Sequence, residues 1–81
     1  MLNVTPAQSR AARALLDWSQ PDLAAAAAHG LSTVVDFERS RRAVPDKTIA
    51  AIRTALEAAG VEFIAENGGG AGVRLKKDTT R

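Results

Sequence analysis

Apolar and small residues recur at helical spacing through most of the chain and alternate with charged ones near its end. Thr5-Pro6-Ala7-Gln8 reads as a helix start: Thr5 caps, Pro6 suits the first helical position, and Gln8 completes a capping box. The spacing predicts a helix to about Leu16 with Ala12, Leu15 and Leu16 as its buried stripe. Ser19-Gln20-Pro21-Asp22 repeats the logic, with Ser19 as cap and Asp22 favouring the positive helix end. Leu23 to Ala27 continue that helix, and its alanines let a neighbour approach closely. The run then breaks at His29-Gly30, where Gly30 reads as a turn or as the cap of the next helix. A short third helix follows from Leu31 to about Glu38. Val34 and Phe37 share its buried face, while Leu31, Ser32 and Val35 lie on other sides.

Ser40 to Val44 forms a basic loop, and Pro45 or Asp46 starts a fourth helix. Ile49, Ile52, Leu56 and Ala59 give it the strongest helical pattern in the chain, and Gly60 is its expected stop. "VEFIAE" (Val61–Glu66) and "AGVRLKK" (Ala71–Lys77) alternate apolar and polar residues around "NGGG", which predicts a hairpin. Its apolar positions include Val61, Phe63, Val73 and Leu75. A lone hairpin is marginal in water, so it must lie against the helices or pair with a second copy.

A helix, a sharp turn and a short second helix make a helix-turn-helix. In that arrangement the first helix crosses the DNA backbone and the second enters the major groove. Leu31, Ser32, Thr33 and Val35 then face bases, since a hydroxyl can bond a base edge and an apolar tip can meet a thymine methyl. Charge strengthens the picture. Between Arg39 and Arg53 stand Arg39, Arg41, Arg42, Lys47 and Arg53 against the single acid Asp46. Such a loop beside the groove-facing helix fits phosphate contact better than a merely solvated face.

The segment "WSQPDLAAAAAHGLSTVVDFER" resembles the phage-repressor-like (Xre-type) helix-turn-helix family. The resemblance covers about residues 9–59 and is carried by Ser19-Gln20, Leu23-Ala24, Ala28 and Val34. It implies a mainly α, small lambda-repressor-like bundle of about four helices, to which the alternating tail adds a C-terminal β-hairpin. It implies a phosphate contact for Gln20 and base contacts for Leu31, Ser32 and Val35. It further implies an ion pair between Glu38 and an arginine of the first helix, Arg10 or Arg13. The chain departs from the pattern at the turn. Ala28 stands where glycine is usual, His29 where an apolar residue is usual, and Gly30 where serine is usual. Ala28 must therefore be helical or mildly strained. The apolar readers Leu31 and Val35 leave more of the specificity to DNA shape. The tail "GVEFIAENGGGAGVRLKK" resembles the ending of a set of small bacterial regulators of this type.

The 81 residues allow one domain at most. Residues 1–60 form the expected DNA-binding unit, 61–77 a hairpin suited to dimerisation through Val61, Phe63, Val73 and Leu75, and 78–81 a flexible tail. With no cysteine and one histidine there is no disulfide, and no metal site or other cofactor is expected. The absence of an apolar leader or a long apolar run points to a cytoplasmic protein with no membrane partner. No nucleophile–base pair stands out, so an enzyme is the least favoured class. The glycines 68 to 70 lack the Lys-Ser/Thr of a phosphate-binding loop, and Trp18 reads as core. The leading expectation is a sequence-specific, homodimeric regulator of double-stranded DNA, with Gln20, Arg39, Arg41, Arg42 and Lys47 on phosphates. The alternative is a protein-interaction adaptor or antitoxin-like protein whose partner binds Leu31 and Val35.

Overall fold

The computed structural model describes residues 4–76. The expected tail at 78–81 lies outside them. The fold is small and mainly α, as expected: α1 (Pro6–Leu16), α2 (Gln20–Ala27), α3 (Leu31–Glu38) and α4 (Asp46–Ala58), followed by β1 (Val61–Ile64) and β2 (Gly72–Leu75). Both capping boxes form. Thr5 and Gln8 exchange side-chain and backbone bonds at the start of α1, and Ser19 and Asp22 do the same at α2.

The first three helices end alike. Asp17, Ala28 and Ser40 adopt left-handed backbone with φ of 59°, 58° and 54°. At each, the residue after the turn bonds back five positions: Trp18 to Arg13, His29 to Ala24 and Arg41 to Asp36. This is the Schellman closure, which satisfies otherwise orphaned carbonyls and turns the chain sharply. The break between α2 and α3 therefore depends on Ala28. Gly30 sits at φ −68°, an ordinary extended value, and caps α3 without a side-chain bond.

Leu23, Val34, Ile52 and Leu56 are fully buried at the centre, with Ala12, Ala24, Ala27 and Phe37 around them and Trp18 packed on the edge. The α1 stripe differs from expectation. Gln8, Ser9 and Ala12 are buried and Leu16 packs against the core, whereas Leu15 is exposed. Two polar residues occupy that stripe because each finds partners across the interface.

The hairpin pairs antiparallel, with Val61 opposite Leu75 and Phe63 opposite Val73, so these four side chains share one face. That face lies on the helices. Val61 is 1% exposed, and Phe63 and Val73 pack against the core. The Val61 side chain, expected at a dimer interface, is thus spent on the protomer's own core; Leu75, 48% exposed, is the one of the four whose side chain stands out. Gln8 latches the hairpin to α1. Its Nε2 donates to the carbonyls of Gly72 (3.0 Å) and Ile64 (3.4 Å), while its Oε1 accepts from Thr5 N–H. The strands are shorter than the alternation suggested. The amides of Gly68 and Gly70 donate to Glu66 and that of Gly69 to Asn67, so this loop is closed by side chains instead of a longer ladder.

Candidate nucleic-acid interface

The outer surface of α3 follows from what its inner surface holds. Val34 and Phe37 bury against the core, and Glu38, next on the same stripe, is fully buried with them. The opposite side is left to solvent. Leu31 is 46% exposed, Ser32 is exposed, and Thr33 and Val35 are half-buried. None of the four expected base-reading residues is packed away.

A buried carboxylate needs partners, because desolvation of a charge is costly. Glu38 draws them from two other helices. Arg13 Nε lies 3.1 and 3.0 Å from its two oxygens and Arg13 Nη2 2.8 Å from Oε1. Ser9 Oγ donates to Oε2 at 2.5 Å, and Gln20 Nε2 donates to Oε1 at 3.1 Å. Arg10 donates to the Glu38 backbone carbonyl, and Arg13 Nη1 to that of Trp18. Burial raises the Glu38 pKa, but bonds from Arg13, Ser9 and Gln20, with the charge of Arg13, outweigh it and hold the carboxyl below its usual range. No buried side-chain nitrogen or oxygen lacks a partner among the described residues. The network joins α1, α2 and the last turn of α3, and so sets the angle at which α3 faces outward.

Of the two arginines expected to pair with Glu38, Arg13 does so with its side chain and Arg10 meets its backbone. The roles of Ser9 and Gln20 were not read from sequence. Ser9 and Arg13 lie one turn apart on α1, the spacing that stacks side chains on one face, which is the signal that points to Ser9. Gln20, expected at a phosphate, gives its amide nitrogen to Glu38.

The basic loop divides in two. Arg42 Nε bonds Asp36 at 2.8 Å, so this arginine neutralises an acid on α3 itself. Arg39, Arg41 and Lys47 are exposed and make no ion pair among the described residues. The left-handed turn at Ser40 folds the chain back there, its closure completed by the Arg41 amide on the Asp36 carbonyl at 2.9 Å. Three free cations thus stand on a short stretch following α3 and opening α4, and the one acid on the outer part of α3 is masked.

Among the described residues no helix is long and apolar enough to cross a membrane. No protein-family model matches the chain, and no curated protein matches it either.

Proposed function

We propose that the chain is a sequence-specific regulator that binds double-stranded DNA as a cytoplasmic homodimer, with α3 in the major groove. The observation that carries this reading is α3 itself. It is fixed from behind by a buried charge network, presents Leu31 and Ser32 to solvent, and runs into Arg39 and Arg41, which have no acidic partner among the described residues. Rigid positioning, base-reading tips and flanking cations are the requirements of groove recognition. One such helix spans few base pairs, so a dimer placing two of them about 34 Å apart is part of the reading. Leu75 is the hairpin residue left free to contribute to it.

Fluorescence anisotropy with duplexes selected from a random pool tests this. Log affinity should fall steeply with log salt, with a slope of about −0.9 per phosphate contact. Ser32→Ala should change base preference, and Arg41→Ala should weaken all sequences alike and flatten the slope by about one. A flat salt response refutes the phosphate roles. The exposure of Leu31 favours one second reading, a protein-interaction adaptor or antitoxin-like protein that receives an apolar partner surface on α3. Binding that is insensitive to salt and abolished by Leu31→Asp, in the absence of duplex binding, selects it.

A further inference from the structure

A second concave site lies away from α3. A cleft of about 440 Å³ opens between the start of α1, the middle of α4 and the hairpin loop, within the roughly 300–1,000 Å³ range of small-molecule pockets. Its apolar wall is made by Phe63, Ile64, Ala65 and Ala71, and its two charged residues are Arg53 and Glu66.

The state of those charges is informative. Arg53 is held in place: its Nε donates to Glu57 at 2.9 Å, and its guanidinium carbon lies 5.2 Å from the centroid of the Phe63 ring. Both Nη groups remain without a protein acceptor among the described residues. Glu66 Oε2 accepts from the Gly68 and Gly70 amides at 3.3 and 3.2 Å, while Oε1 accepts nothing there. Arg53 and Glu66 line one cleft but form no ion pair with each other within 4.0 Å. Two oppositely charged residues, each held by its own contact and each with spare bonding capacity, line the same cleft as that apolar wall.

We propose that this cleft binds an apolar α-amino acid as its zwitterion. The carboxylate takes the free Nη groups of Arg53, the arrangement in which a guanidinium fork meets a carboxylate best. The ammonium takes Glu66 Oε1, and the side chain lies on Phe63, Ile64 and the two alanines. A simple anion would leave Glu66 Oε1 unmet, and a simple cation would leave both Nη groups of Arg53 unmet, its Nε being already paired with Glu57. Occupancy ties the glycine-rich loop to α4, so it stabilises the hairpin's seat on the helices by mass action. The inference does not depend on DNA binding.

The test is a titration of the full isotope-labelled chain, followed by amide NMR shifts, with L-phenylalanine and L-leucine as probes. 3-Phenylpropionate and 2-phenylethylamine are the arms lacking one charge. Saturable shifts at residues 63–71 with millimolar affinity, at least about tenfold weaker for both analogues, are expected. Glu66→Gln and Arg53→Gln should each weaken L-phenylalanine about tenfold while leaving 3-phenylpropionate or 2-phenylethylamine, respectively, the less affected probe. Absence of shifts, analogues binding as well as the amino acid, or unaltered affinity in Glu66→Gln overturns the proposal. Glu66 is exposed on the loop, so that variant carries the test whether or not Arg53→Gln folds.

Discussion

Replacing Glu38 by glutamine removes one charge from the centre of the three-helix network and leaves its shape. The wild-type carboxylate is fully buried and accepts from Arg13, Ser9 and Gln20. Hydrogen bonds to charged groups are worth about 1.5–3 kcal/mol, and breaking a buried pair costs about 3–5 kcal/mol. Arg13 keeps 18% side-chain exposure and a second acceptor, the Trp18 carbonyl, so the lower part of that span applies. We expect a loss of about 2–3 kcal/mol, out of a total near 4–12 kcal/mol for a chain of this length. Urea unfolding followed by circular dichroism should show a lower midpoint at an unchanged slope.

The same variant has a pH signature. Glu38 has a folded pKa below its unfolded value of about 4.3. Its stabilisation is therefore complete above about pH 5 and is lost as pH falls through the folded pKa. The gap between wild type and Glu38→Gln should narrow over that acid range. Glu62, lowered by its exposed bond with Arg74, acts identically in both proteins and cancels in the difference. A gap below about 0.5 kcal/mol at neutral pH, within the scatter of ordinary surface changes, or one that does not change on acidification, refutes the reasoning.

Ala28→Gly should stabilise the fold by about 1 kcal/mol, since left-handed backbone costs an L-residue about 1–2 kcal/mol and glycine returns part of that as entropy; the melting temperature should rise by about 4–8 °C. Gly30→Ser adds the missing side-chain cap of α3 where a Cβ meets nothing within 4 Å, and should add a few tenths of a kcal/mol in the same melt. Asp36→Asn frees Arg42 and removes an acid from α3, so non-specific duplex affinity should increase and the salt slope steepen by about one; an unchanged slope means Arg42 does not reach a phosphate. Leu75→Lys should lower self-association in sedimentation without changing helix content, and an unaffected oligomer places the interface elsewhere. Gln8→Ala removes the latch between α1 and the hairpin and should cost about 1–2 kcal/mol, with faster amide exchange in β2; equal exchange rates would show that packing alone holds it.

Much of this architecture is written locally. Capping boxes at Thr5 and Ser19, the apolar spacing through α4 and the stop at Gly60 place helix ends to within a residue, because each depends on neighbours a few positions away. The outward face of α3 follows too, since Val34 and Phe37 can bury only if Ser32 does not. The left-handed turn was less legible. Glycine is the usual occupant, and Gly30 drew attention to itself, yet the closing bonds require the left-handed residue immediately after Ala27. Backbone geometry chose the position, and the alanine there accepts the strain.

Which residues meet across elements could not be read from any stretch alone. Ser9 and Gln8 look like surface positions of a capped helix until α3 and the hairpin supply the carboxylate and carbonyls that bury them. A pair between Glu38 and an arginine of α1 is implied by the family resemblance, but the choice of Arg13 for the side chain and the arrival of Ser9 and Gln20 are seen only in the fold. Val61 looks free to join a second chain until the helices cover that face of the hairpin. The chain by itself determined where helices and strands form, how they start and which stripe of α3 and α4 is apolar, because these are short-range consequences of side-chain size, hydrogen bonding and period. Only the tertiary structure decided which polar groups are buried, which cations stay unpaired and which hairpin residue remains exposed, because those outcomes depend on partners brought together from distant parts of the chain.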